Sequence, residues 1–168
     1  SAQVEYGRTL NKHNNSKIYL QDAMKLNQDL YGTFNKITSL EMAEHVGIKR
    51  YGQFLKLVYD LLDDDGIFYF QVAGLRRQWE YEDLIWGLFM AQYIFPGADA
   101  SCPLGWVTTQ LERAGFEVQR VQNFGSHYSI TLKQWLNEWH KNKDLIVNKY
   151  GIKSYRKWEV FLKWSVRI

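Results

Sequence analysis

Glu41, Glu44 and His45 fall in one short stretch, directly after the apolar, partly β-branched run Lys36-Ile-Thr-Ser-Leu40 and just ahead of Gly47. Two carboxyls and an imidazole so spaced can hold or move a proton, or steady a developing positive charge. Their setting gives that chemistry a place. Lys36–Leu40 reads as a buried strand of a parallel sheet, and in open α/β sheets ligands sit beyond the carboxyl ends of the strands. The plainer reading is that Glu44 and His45 open a surface loop, and spacing alone does not separate the two.

Other polar residues fall at comparable places. Asp22 follows a short strand, Lys17-Ile-Tyr-Leu20, where an aspartate most often caps a helix. Gln71 lies within the aromatic strand Gly66–Ala73, and His127 and Tyr128 close the segment Asn123-Phe-Gly-Ser-His-Tyr128. A histidine beside a tyrosine suggests a base, although a structural role is the commoner one. Cys102, between Ser101 and Pro103, has no base near it in sequence, so a nucleophile reading is weak. Asp63-Asp64-Asp65-Gly66 lacks the spaced ligands and distal glutamate of a calcium loop and reads as a polar turn. His13 and His140 lie in polar helical stretches and carry no assignment; no metal site is expected.

The elements that must position these groups follow from periodicity. A helix runs from Val4 to about Asn14, where Asn14-Asn15-Ser16 breaks it. Tyr51 to Leu62 is an amphipathic helix with Tyr51, Phe54, Leu55, Val58, Leu61 and Leu62 on one face. Glu80–Phe89 reads as an apolar helix, followed by an irregular segment to Pro103; an insertion of that length is more often a lid or binding loop than a connection. Leu104–Ala114 is a helix closed by Gly115, and Phe116–Val121 a strand. The remainder is helical from about Leu132 to Val166, with breaks near Asn142 and Gly151. Strand–helix–strand alternation predicts the α/β class with right-handed parallel crossovers.

At 168 residues the chain is one domain's worth, with a sizeable core. A single cysteine excludes an internal disulfide and fits a reducing compartment. The first residues carry no signal-peptide pattern, and no apolar run approaches the ~20 residues of a membrane span. Net charge is +3, unevenly spread: from Lys133 onward 9 Lys/Arg stand against 3 Asp/Glu, a surplus of +6 that leaves −3 for the rest. A basic third interleaved with Trp135, Trp139, Trp158 and Trp164 could face anionic lipid head groups or nucleic acid; an ordinary solvated helical face is the commoner case.

Glu41-Met-Ala-Glu-His-Val-Gly47, then Tyr51, then Leu61-Leu-Asp-Asp-Asp-Gly-Ile-Phe68, resembles the cyclopropane-fatty-acid-synthase family of S-adenosylmethionine-dependent methyltransferases. Trp79-Glu-Tyr-Glu-Asp-Leu-Ile-Trp-Gly-Leu-Phe-Met90 and Tyr93–Trp106 extend the resemblance to the fungal-type sphingolipid C9-methyltransferases. The likeness runs through nearly the whole chain. It implies a Rossmann-like methyltransferase sheet, with residues 1–168 as the C-terminal part of one catalytic domain and a lipid-facing insertion at about 75–103. It also implies that the first two strands and the last lie outside the chain, as do the glycine-rich cofactor loop and the acidic residue that holds the cofactor's ribose.

The resemblance assigns roles residue by residue. Asp22 would accept from the adenine amine of S-adenosylmethionine, with Ala23 on the ring face; Gln3 would lie near the cofactor, and Leu40 and Glu41 beside its adenosine and methionine portions. Glu44 would help hold a bicarbonate ion together with a histidine one strand on and a tyrosine near the end. Tyr128 supplies that tyrosine, but Gln71 stands at the histidine's place and Ala73 where a larger aliphatic residue gives a backbone contact. Glutamine cannot shuttle a proton, which sets bicarbonate binding in question. The C9-methyltransferases carry the same replacement, so it reads as a change of task.

The activity so implied is methylation at C9 of an unsaturated sphingoid base in ceramide or glucosylceramide. The alternatives are cyclopropane synthesis on unsaturated phospholipid acyl chains, or a non-catalytic lipid-binding or interaction domain. An unsaturated lipid partner, a membrane surface, an endoplasmic-reticulum membrane location for the full-length protein and no nucleic acid complete the expectations. A fragment without the cofactor loop would be inactive alone.

Overall fold

The computed structural model describes residues 2–166. Helix α1 spans Ala2–Leu10 and stops short of the expected Asn14. Asn11 competes for the backbone there: its Oδ1 accepts from the His13 amide at 3.2 Å and the Ser16 hydroxyl at 2.6 Å. A single 3₁₀ turn, Ala23–Lys25, and the short α2, Gln28–Tyr31, lead into β1, Phe34–Leu40. Then come α3, Ala43–Val46; α4, Ile48–Leu61; and β2, Leu62–Gln71. Helix α5, Tyr81–Phe89, continues into a π turn, Met90–Ile94, followed by α6, Leu104–Ala114; α7, Gly125–Lys141; and α8, Lys143–Ser165, kinked at Gly151.

Strands β1 and β2 pair in parallel through the crossover α3–α4, so the α/β reading holds for the part that forms a sheet. Ile37 and Ser39 of β1 and Phe68 and Phe70 of β2 face inward. There Tyr51, Phe54, Leu55 and Val58 of α4 meet Val107 of α6 in one hydrophobic cluster. A second cluster joins Ile94 of the π turn, Leu132 of α7, and Phe161 and Leu162 of α8. Trp86 of α5 lies stacked on Trp164 of α8 at 4.9 Å between ring centroids, so α5 is anchored through one face.

Three expectations need correction. Lys17–Leu20 and Phe116–Val121 form no ladder with any described strand. A strand exists only by pairing, and in doubly wound sheets the third strand is separated from the fourth by the first two. The composition of these segments signals a β preference that has no neighbour to satisfy it. The acidic run is not a free turn either. Phe34 pairs with Leu62 and Lys36 with Ile67, so a two-residue step on β1 faces a five-residue step on β2: Asp63–Gly66 is a bulge inside the strand. Asn35 Nδ2 donates to Asp63 Oδ2 at 2.5 Å across it. A Cβ on Gly66 would lie 2.6 Å from Leu62 Cγ, so the bulge closes only around a glycine. Finally, α7 begins at Gly125 rather than near Leu132, which places Tyr128 in its first turn.

Residues 75–103 leave the sheet at the end of β2 and return to it. The Asp99 amide donates to the Glu44 carbonyl at 2.8 Å. A Cβ on Gly74 would lie 2.5 Å from the Cys102 carbonyl oxygen, so the two ends of the insertion meet through backbone.

Candidate active site

Glu41, the first residue past β1, has φ 51, the left-handed region that non-glycine residues enter at a cost of about 1–3 kcal/mol. Its amide donates to the Gln71 carbonyl at 3.0 Å, extending the ladder by one bond. Its side-chain Oε1 accepts from Gln71 Nε2 at 2.9 Å and from the Tyr128 hydroxyl at 3.2 Å. Gln71 Nε2 also donates to the Tyr128 oxygen at 2.5 Å. Both amide hydrogens of Gln71 and the phenol hydrogen of Tyr128 are thereby used, and two of the three end on Glu41. One nitrogen of a histidine ring carries a single hydrogen and could serve Glu41 or Tyr128, not both. Burial, then the charge of Glu41, pushes the Tyr128 phenol above its ordinary value, keeping it a donor.

Glu44 stands behind this triangle on α3, 5% exposed. Its Oε1 accepts from the Ala73 amide at 2.5 Å, while Oε2 has no partner among the described residues. Burial raises its carboxyl above the usual range; the Ala73 amide opposes the shift, and the nearby Glu41 carboxyl adds to it. The buried Tyr51 hydroxyl, also without a partner among the described residues, is pushed up by burial and by the charges of Cys102 and Glu44. Cys102, 4% exposed, has its thiol pushed up to about 11 by burial, Asp99 and Glu44. It remains a thiol at neutral pH, in line with the weak nucleophile reading.

The structure gathers the expected residues but changes who touches whom. Gln71 and Tyr128 bond Glu41 and not Glu44, which reaches Tyr128 through charge. The signal that finds Glu41 is register: Leu40 lies opposite Gln71, so the next residue meets the same strand end. His45 sets its ring edge toward Phe95 and His127 toward Phe124, and neither has a hydrogen bond to the triangle among the described residues. Asp22 does cap: its Oδ1 accepts from the Met24 amide at 3.0 Å. Its carboxylate is nevertheless exposed, and Met24 anchors the turn on the first hydrophobic cluster. Leu40 is 56% exposed at the strand end, and Gln3 is exposed on α1.

These groups fit the share of S-adenosylmethionine that the resemblance gives them: an acceptor for an exocyclic amine and an uncovered apolar side chain for a ring or ribose. Bicarbonate does not fit. The donors that would hold it already end on Glu41 and Glu44.

The sphingolipid C9-methyltransferase of Komagataella phaffii is 58% identical over 135 residues, and sphingolipid C9-methyltransferase 2 of Gibberella zeae is 56% identical over 137. These alignments take in 80% and 82% of this chain but only 28% and 26% of the relatives, so the chain spans about a quarter of their length. The cyclopropane-fatty-acyl-phospholipid synthase of Escherichia coli is 29% identical over 145 residues, 86% of this chain and 35% of that protein. Among solved structures, a cyclopropane synthase from Mycobacterium tuberculosis superposes with a TM-score of 0.86 at 21% identity, over 99% of this chain and 60% of that one. A mycolic acid cyclopropane synthase complexed with SAH and CTAB gives 0.88 at 23%, over 99% and 61%. At those identities the likeness establishes the fold. A model of the mycolic acid cyclopropane synthetase family matches residues 3–168, taking in both strands, the insertion and the helical hairpin, and to that family the chain belongs.

Proposed function

We propose that the intact protein is an S-adenosylmethionine-dependent C-methyltransferase that adds a methyl branch at C9 of the unsaturated sphingoid base of ceramide or glucosylceramide. The observation that carries this reading is Gln71 at the centre of the strand-end cluster, in a chain 54–58% identical to relatives named sphingolipid C9-methyltransferase. The activity is assigned to the intact protein, because no segment here supplies a glycine-rich cofactor loop.

When bound, the cofactor supplies a methyl group activated on sulfur. Asp22, Ala23, Leu40 and Gln3 would hold and orient it. An isolated alkene is a weak nucleophile, so positioning carries much of the rate, up to about 7–11 kcal/mol in favourable systems. Carbon–carbon bond formation leaves a positive charge on the lipid chain. The Glu41 carboxyl and the ring of Tyr128 lower its energy. Loss of the proton from the newly methylated carbon restores the double bond with a methyl branch; loss of a methyl proton closes a cyclopropane.

Helix α5 exposes Tyr81, Leu84, Ile85 and Leu88 at helical spacing, and we assign this face to the membrane surface that presents the lipid, in the endoplasmic reticulum. The basic C-terminal third suits anionic head groups. No helix among the described residues is long and apolar enough to cross a membrane.

The test uses the intact protein, a Δ8-unsaturated ceramide and methyl-deuterated cofactor, read by mass spectrometry. Three deuteriums retained support the branch. One lost would favour the cyclopropane alternative, and no label in any lipid would favour a non-catalytic domain.

A further inference from the structure

The methyl-branch reading leaves one proton without an acceptor. Gln71 cannot take it. Glu44 keeps Oε2 without a partner among the described residues, but it is 5% exposed behind the cluster, with Oε1 tied to the Ala73 amide. Tyr128 is a donor in the triangle, and His45 and His127 face Phe95 and Phe124. Glu41 differs from all of these. It is exposed at the strand end, accepts two hydrogen bonds on one oxygen, and keeps a backbone conformation that a glycine would adopt without strain. A strained residue whose side chain is gripped by two donors points to a function for that side chain.

We propose that Glu41 is the catalytic base that removes the proton from C9, and that Gln71 and Tyr128 position its carboxylate, so that the chain carries its own base where a separate anion does not fit. The inference rests on the methyl-branch reading. In balance, C9 bonds to the transferred methyl with the alkene π pair as the methyl–sulfur bond breaks, leaving the positive charge at C8. Glu41 then takes the C9 proton, and the C9–H electron pair restores the double bond. The charge that entered on sulfur leaves as a proton, which the exposed carboxyl passes to solvent.

The experiment compares wild type, E41Q and E41G in the intact protein by turnover, product mass with methyl-deuterated cofactor, melting temperature, and calorimetric affinity for S-adenosylhomocysteine. Turnover should fall about 10²–10⁴-fold in both variants, the range a positioned base supplies. Affinity should be unchanged, and residual product should shift toward the species lacking one deuterium. E41G relieves the left-handed strain, so it should melt at or above wild type, and formate should restore part of its branching activity. E41Q, whose amide fills the site, should not respond to formate. If E41Q proves unstable, E41N, which tolerates the same backbone, serves in its place. Near-wild-type turnover in the variants would overturn the assignment. So would a loss of affinity parallel to the loss of turnover, which would make Glu41 a cofactor ligand. A wild type that loses one deuterium overturns the branch reading and removal of the C9 proton together. A wild type that keeps three, with variants equally fast, overturns the assignment alone.

Discussion

Gln71 holds its neighbours through two hydrogens on one nitrogen, and that count makes its exchange informative. Q71H leaves one hydrogen for two acceptors and should change the branch-to-ring ratio of the product; an unchanged ratio by mass spectrometry would remove Gln71 from the specificity argument. Y128F deletes one donor to Glu41, and hydrogen bonds to charged groups contribute about 1.5–3 kcal/mol, so turnover should fall roughly ten- to hundredfold. Glu44 makes a prediction about stability. Its carboxyl is raised above the ordinary 4.5 mainly by burial, so over the window above that value the folded chain binds a proton that the unfolded chain does not. That contribution is fully present below about pH 4.5 and is lost as pH rises through the folded value. The melting temperature of wild type relative to E44Q should therefore fall across that window, and a flat difference would count against a protonated Glu44.

Among the elements, two glycines along β2 and just past it matter most. Gly66 lets the acidic bulge close within the strand, and Gly74 lets the insertion return to the sheet beyond its end. G74A would push a methyl into the Cys102 carbonyl beside the Ala73 amide that holds Glu44. We expect a loss of about 1–3 kcal/mol in denaturant unfolding, the usual cost of overpacking, with reduced turnover. The α7–α8 hairpin has its own ties. Trp139 Nε1 donates to the Tyr155 carbonyl at 3.3 Å, and His140 and Lys163 both reach Glu159, at 3.0 and 2.8 Å. The Lys163 and His140 bonds hold the Glu159 carboxyl below its usual range despite some desolvation. These exposed pairs steer orientation more than they stabilise.

For the whole molecule, the aromatic-rich insertion divides its apolar side chains between two tasks. Trp86, Phe89 and Phe95 pack toward α8, while Tyr81, Leu84, Ile85 and Leu88 stay uncovered. Burying a leucine contributes about 1.5–3 kcal/mol, so L84E/L88E should weaken binding to anionic ceramide-containing vesicles at least about tenfold. Its melting temperature should stay near wild type, because exposed substitutions seldom move stability. Vesicle affinity unchanged in a co-sedimentation assay would remove this face from membrane contact.

Local pattern alone determined much of this protein. The apolar face of α4 and the closing of α6 at Gly115 follow from periodicity and caps; the helix breaks near Asn142 and Gly151 and the strand-end setting of Glu41 and Glu44 were also legible. These depend on residues a few positions apart, whose interactions the chain cannot avoid. What only the tertiary structure decided was pairing. Whether Lys17–Leu20 and Phe116–Val121 become strands depends on neighbours distant in sequence, and neither finds one among the described residues. The bulge at Asp63–Gly66 sets the register of β2, and register decides that Gln71 meets Glu41. Because side chains alternate faces every residue along a strand, a slip of one position would have turned Gln71 away and left the same sequence without its cluster.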